Sequence, residues 1–416
     1  MSDVDATTIS EFSGGNARVA IALANTLKRG DNLNNLRDEE LFQRLFKQRN
    51  RDDKDLLRSA QICSLVYSFE GTDLVSEKSE LKILAKLLNK DPNELFGDVS
   101  SLKDRGMVQS RGNWRAILPH AIANRLAKQA LNLIARDSII QSIQASPERL
   151  IKSFSRRLSF LHDEEIAIQI AQLWLGLDGW IGKSMGNLNS LGISVFKNVA
   201  PISPEFTLES IEREANSDYG EKFTSRTNSY YYEFVQILAL IAYDKKLFHR
   251  STELIIRFAL AENPKENYNS TRDVLKGLFQ HYLSGTNANY VEKLSVIEKL
   301  FEHQDSTRNQ LGILLLDGCL GTYHYSSIYP HQFGARSRDY GYQPNTENEY
   351  KEWYRTFVQL CGIYGHKNSD LGKDVRLIFA NHLRGLISVK IFELLDQTII
   401  GFHSNYIWNE GWLAIK

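Results

Sequence analysis

The chain is poor in residues that staple a fold, break a helix or cross a membrane. Its 416 residues include 3 cysteines and 8 prolines. Cys63, Cys319 and Cys361 are widely separated and odd in number, which defines no disulfide framework and no zinc knuckle and fits a reducing compartment. Long hydrophobic runs are missing. The longest apolar stretches, such as residues 237–243 and 313–316, fall far below the ~20 residues of a membrane-spanning helix. Net charge is missing too: 50 Lys plus Arg balance 50 Asp plus Glu, so no global field draws the chain to nucleic acid or to a membrane. Met1-Ser2-Asp3-Val4-Asp5 lacks a basic and then apolar leader, so no secretory signal is expected. These absences together imply a cytoplasmic protein with no membrane partner.

What is present is apolar material for sizeable cores, with 42% hydrophobic and 24% charged residues. At ~100 to 200 residues per domain, the length implies two to four domains. Several prolines stand where helices begin. Asp91-Pro92-Asn93-Glu94, Ser146-Pro147-Glu148 and Ser203-Pro204-Glu205 each place a capping side chain before a proline and an acid. Thr346 with Glu349 repeats the capping logic, and Trp353, Phe357, Leu360, Cys361 and Tyr364 then recur at helical spacing before Gly365. Val274, Leu275, Leu278, Phe279 and Tyr282 do the same before Gly285. From about residue 146 onward the chain reads as a stack of helix pairs, with no fixed period that names a repeat. One segment differs. Residues 106–118 alternate around a Gly112-Asn113 turn and predict a short β-hairpin, flanked by helices over 77–88 and 92–103 before it and 122–133 after it. With a first helix over 52–67, this is the order of a winged-helix unit.

Three constellations are candidates for chemistry. Ser13-Gly14-Gly15-Asn16-Ala17-Arg18 offers Asn16 as an N-cap and puts Arg18 in the first helical turn, where a cation meets the positive end of the macrodipole. A phosphate there would relieve that cost, and a solvated arginine at a plain helix start is the competing reading. At Pro119-His120-Ala121-Ile122-Ala123-Asn124-Arg125-Leu126 the hairpin enters the next helix, and His120 either donates to a phosphate or caps its own helix. Phe333-Gly334-Ala335-Arg336-Ser337-Arg338-Asp339-Tyr340-Gly341-Tyr342 lies in a long aromatic loop over 323–345. Phe333, Arg336, Arg338, Tyr340 and Tyr342 are of the types that anchor a partner protein, or they cover the array's own apolar surface. His324 and His331 in this loop are too few for a metal site, and Tyr230-Tyr231-Tyr232 reads as helix packing rather than a cage.

Gly176-Leu177-Asp178-Gly179-Trp180-Ile181-Gly182-Lys183-Ser184 ends like a Walker A loop, but Gly176 stands one residue too far from Gly182, and a helical run precedes it instead of a strand. No nucleophile motif and no paired acids in a recognisable frame occur. The chain by itself is therefore expected to be no enzyme and to hold no cofactor.

The order of these parts resembles the lid, winged-helix and sensor portions of bacterial STAND-type, AAA+-related NTPases of the antiviral defence kind. Ser13 to Arg18 resembles the sensor 2 helix start, whose arginine reaches the nucleotide's terminal phosphate, and Pro119-His120 resembles the corner that carries the phosphate-sensing histidine. Phe154-Ser155-Arg156-Arg157-Leu158, Leu161-His162-Asp163 and the 333–342 loop are also similar to segments of that class. The resemblance implies a mainly α chain: a helical lid with the sensor 2-like helix over 1–50, a winged-helix domain with a short β-hairpin over 51–136, and a solenoid-like α-helical sensor array over 137–416. It assigns Gly15, Asn16, Arg18 and His120 to ATP or ADP with Mg, held together with a nucleotide-binding domain of the same or an adjacent chain. It implies a proteinaceous trigger, a homo-oligomer on activation and no DNA.

The chain departs from that class in carrying no Walker A or B segment, as expected of a piece of a longer protein or a stand-alone remnant. The alternatives are a winged-helix transcription regulator with a helical partner-binding domain, and a helical scaffold. Against the regulator, the presumed recognition helix carries Asp91, Glu94, Asp98 and Asp104 beside Lys103 and Arg105, and acid faces phosphate badly. Arg105, Arg111 and Arg115 around the hairpin speak for it.

Overall fold

A computed structural model of the chain describes residues 9–10, 17–24, 54–263, 265, 268–323 and 332–415. It is mainly α-helical, with one small antiparallel sheet. The chain divides into two compact units, one of Met1–Lys183, Leu188–Ser203 and Gly334–Arg336, the other of Ser184–Asn187, Pro204–Phe333 and Ser337–Lys416.

The first unit holds α1 (Ala17–Ala24), α2 (Lys54–Ser64), β1 (Phe69–Glu70), α3 (Glu80–Leu87), α4 (Pro92–Asp104), β2 (Val108–Arg111), β3 (Trp114–Ile117), α5 (His120–Leu133), α6 (Arg136–Gln144), α7 (Glu148–Leu158), α8 (Glu165–Leu175) and α9 (Ser190–Val199). The expected hairpin is β2–β3, in register from Val108 opposite Ile117 to Arg111 opposite Trp114. Gly112 takes φ +55° at the first turn position, a region that glycine enters without a Cβ penalty. A third strand was not foreseen. β1 adds to the free edge of β3, giving the order β1-β3-β2.

α2 packs on α5, and both bury small and branched residues: Leu56, Ala60, Ile62 and Cys63 on one, Ile122, Ala123, Leu126 and Ala127 on the other. The buried Glu80 carboxylate accepts from the Glu70 amide at 2.6 Å and from Arg149 Nε at 2.6 Å, which ties α3, β1 and α7 together.

Asp91 caps α4 as expected, accepting from the Asn93 amide at 2.8 Å with Pro92 behind it. Ser146 does not cap α7. Its hydroxyl donates back to the Ser142 carbonyl at 2.6 Å, and Pro147 occupies the cap position with no side-chain oxygen to offer.

The second unit continues with α10 (Pro204–Ala215), α11 (Gly220–Thr224), α12 (Tyr231–Ile241), α13 (Phe248–Leu260), α14 (Thr271–Leu278), α15 (Tyr290–Glu302), α16 (Ser306–Leu320), α17 (Glu347–Gly365), α18 (Asp370–Ser388), α19 (Phe392–Asn405) and α20 (Asn409–Ile415). α17 ends at Gly365, and its predicted stripe of Trp353, Phe357, Leu360, Cys361 and Tyr364 is buried. α14 is shorter than its stripe implied. It stops at Leu278, Leu283 at φ +56° and Gly285 at φ +69° turn the chain, and Tyr282 is exposed. All three cysteines are buried and free, and burial pushes their thiols above the ordinary range. Among the described residues no helix is long and apolar enough to cross a membrane.

Candidate anion-binding site

The site is built where the sheet hands over to α5. Pro119 precedes the first turn and contributes no side-chain cap, and that turn contains no acidic residue. The leading amides of α5 and the positive end of its dipole are thus left without a side-chain counterpart. His120 opens the helix and is exposed at its edge, while one face of its ring is covered by Tyr67, with centroids 4.5 Å apart and planes 22° apart. Tyr67 is fixed from the other side, its amide donating to the Ser153 carbonyl of α7 at 3.0 Å.

α7 supplies the charge. Its apolar stripe of Leu150, Ile151, Phe154 and Leu158 faces the core, and Arg157, three residues after Phe154, falls on the same side. Arg157 is 0% exposed. Its Nη1 donates to Asn124 Oδ1, whereas Nε and Nη2 have no acceptor among the described residues. Arg156 turns outward, and its guanidinium carbon lies 3.8 Å from the Tyr67 ring centroid; that of Arg157 lies 5.4 Å from the same ring.

The electrostatics follow from this packing. Burial is the main cause that takes the Arg157 guanidinium down to about 10, with Arg156 adding to it and the Tyr67 phenol opposing, so the group is charged at neutral pH. His120 sits below its ordinary value, first through burial of the covered face and then through Arg157 and Arg156. Among the described residues no carboxylate figures in the charge balance of either group. Asp163, in the chain that follows α7, is paired with Lys128. A neutral imidazole, one exposed guanidinium, one buried guanidinium and an uncapped helix start converge here, an arrangement suited to an oxyanion.

Of the predicted site residues, His120 lies in this cluster. Gly15 and Asn16 lie outside the described residues, as does the Arg18 side chain; Arg18 itself falls in α1. Tyr67, Asn124, Arg156 and Arg157 were not singled out as site residues. The available signal was an arginine at a core position of an otherwise apolar stripe.

The 333–342 segment is tied internally. Phe333 is buried, and the Arg338 guanidinium lies over it at 4.3 Å and over Tyr243 at 4.7 Å. Arg336 donates to the carbonyls of Pro201 at 2.5 Å and Ile202 at 3.2 Å. Tyr342 stacks on Trp353, and Tyr340 keeps 48% exposure. His324 and His331 lie outside the described residues, among which no cluster suited to a metal ion occurs. Tyr231 is buried and donates its hydroxyl to the Asn269 carbonyl at 2.9 Å.

The glycines of the Walker-like segment have a structural reason. A Cβ on Gly179 would stand 2.2 Å from the Leu173 carbonyl oxygen and one on Gly182 2.0 Å from that of Gly176, so both let the chain fold tightly against the end of α8.

No family model, no curated protein and no solved structure matches the chain.

Proposed function

We propose that this chain is the regulatory and sensor portion of a STAND-type signalling ATPase of bacterial antiviral defence. In this reading the His120 corner reports the phosphate state of ATP or ADP, and the helices that follow receive a proteinaceous trigger. The observation that carries it is the placement of His120 at an uncapped helix start beside Arg156 and Arg157, with no carboxylate among the described residues in the charge balance. The order of elements supports it: a small three-stranded antiparallel sheet with α2, α4 and α5 packed on it, compatible with a winged-helix domain, then a long succession of helices compatible with a solenoid-like array.

Nucleotide and Mg would be held jointly with a nucleotide-binding domain of the same or an adjacent chain, with Gly15, Asn16 and Arg18 contributing from the lid. Activation would proceed through a homo-oligomer. The test is ATP-dependent activation of the protein assembled with its nucleotide-binding domain. Arg18→Ala should impair activation and His120→Ala should shift the resting state; wild-type behaviour of both variants contradicts the reading.

A further inference from the structure

Arg157 is hard to explain as a structural residue alone. A guanidinium with no exposed surface and, among the described residues, one hydrogen bond and two donors without acceptors is costly to bury. A methionine of similar length would fill the same space without that cost. Its one bond goes to Asn124, four residues after His120 and therefore on the same face of α5. Among the described residues, the polar and charged groups that interact with it or with its neighbours are Asn124 and His120 on α5, Tyr67 ahead of β1 and Arg156 on α7, and none of them is an anion. The charge is buried, tied to α5 through Asn124, and among the described residues left without an anionic partner.

We propose that Arg157 is the buried counter-charge for a phosphate group that binds on the exposed sides of His120 and Arg156, so that the chain's stability is completed by the anion. This rests on the corner's being a phosphate site, as in the proposed function. Arg157 is a positioning residue: the Tyr67 ring separates it from the ligand, it orients Asn124, and it acts on the phosphate by charge through a low-dielectric layer. The shared chemistry is a phosphate, whether free or at the end of a nucleotide.

The two roles open to Arg157 differ in the sign of a stability change. A merely structural arginine, joining α5 to α7, loses stability on truncation with or without ligand. A counter-charge waiting for an anion does not. Thermal unfolding of the full chain is measured at constant ionic strength with no additive, with inorganic phosphate, and with ADP.

Without additive, Arg157→Met should unfold no lower than wild type. With phosphate or ADP the wild-type midpoint should rise saturably and overtake that of Arg157→Met, whose apparent affinity should be weaker by about tenfold or more. Arg157→Lys, which keeps the charge and loses the fork, should retain most of the ligand response and serves if the Met variant does not fold. A larger response to ADP than to phosphate assigns the nucleotide as the source; equal responses assign free phosphate, and either supports Arg157 as counter-charge.

The inference is overturned if Arg157→Met is less stable without ligand and shows the wild-type ligand shift, or if Arg157→Lys loses the shift. Ligand shifts that persist in both variants leave the phosphate corner standing and remove only Arg157. An unresponsive wild type removes both, and leaves the sensor reading to the activation assay.

Discussion

Tyr67 and His120 stand ring against ring, 4.5 Å between centroids. One comes from the chain entering β1 and the other from the chain leaving β3, so the sheet itself sets their separation. The stack covers one face of the imidazole and leaves its edge to solvent, where an anion can approach. The same ring carries the Arg156 guanidinium, which brings a second cation to the corner.

The low proton affinity of His120 gives a pH dependence with a defined sign. Its folded value lies below the ordinary 6.5, so near and below that pH the unfolded chain takes up the proton first and stability falls as pH drops. His120→Gln should lose less stability than wild type between pH 7.5 and 5.5 in urea unfolding. Equal losses would mean that His120 does not contribute. A bound phosphate reverses the local field, so phosphate affinity should increase on acidification through the same window in wild type and not in the variant.

A second pH dependence lies in the other unit. Lys293 is fully buried on α15; its ammonium donates to the Gln280 carbonyl at 3.0 Å and to Ser284 Oγ at 3.4 Å, and lies 4.9 Å from the Trp353 ring centre. Burial takes the amine down to about 7, so between there and the ordinary 10.5 the unfolded chain binds the proton that the folded chain does not. Stability therefore rises with pH across that window. Relative to Lys293→Met, wild type should gain about 2 to 4 kcal/mol between pH 6 and pH 9.5. A difference that is flat with pH would contradict the depressed value.

Asp317 behaves in the opposite sense. Burial pushes its carboxyl up, but hydrogen bonds from His382 Nε2, at 2.6 Å, and from Lys276 outweigh burial and hold it at about 2. Its contribution is present above the ordinary 3.8 and is lost as pH falls through about 2. Asp317→Asn should cost about 1 to 3 kcal/mol at pH 7, because the partners on α14 and α18 each use one carboxylate oxygen and the amide offers a single, uncharged acceptor. The cost should shrink toward zero in strong acid, as read by denaturant unfolding; a pH-independent cost would point to packing instead.

In the 333–342 segment, stability and recognition separate by residue. Gly334 sits at φ +62°, and a Cβ there would stand 2.3 Å from the Ser159 carbonyl oxygen. Gly334→Ala and Arg336→Ala should each lower stability by about 1 to 3 kcal/mol, through backbone strain and through lost carbonyl contacts respectively. Tyr340→Ala, at an exposed position, should change it by less than about 0.5 kcal/mol. If Tyr340→Ala instead abolishes trigger response in the assembled protein, this residue anchors a partner; unchanged stability in the Gly334 and Arg336 variants would contradict the internal role.

The helices were legible because they follow local rules. Asp91-Pro92, Thr346 with Glu349, and the stripe ending at Gly365 each encode a boundary within a few residues, and each forms as read. Gly112 likewise marks the hairpin. β1 was not legible, because two residues carry no alternation and their pairing depends on a strand some forty-five residues later.

The candidate site was legible only in His120, which stands at a corner that the hairpin and the following helix define by themselves. Tyr67 and Arg157 reach it from α2's exit and from α7, and no spacing in the sequence encodes a contact between segments so far apart. Arg157 did carry a hint in its place within an apolar stripe. Whether such a residue is buried or turned outward is decided by tertiary packing, as its neighbour Arg156 shows by pointing to solvent.

The imidazole of His120 is the most direct witness to a phosphate at this corner. The ring resonances of the 10 histidines can be followed by NMR during titration with inorganic phosphate and then with ADP, with His120 assigned by its disappearance in His120→Gln. A phosphate on the corner predicts that the His120 signal moves saturably and that its titration midpoint rises, while the signals of histidines that do not contact the phosphate stay in place. A His120 signal that keeps its position and its midpoint at saturating phosphate and ADP would contradict it.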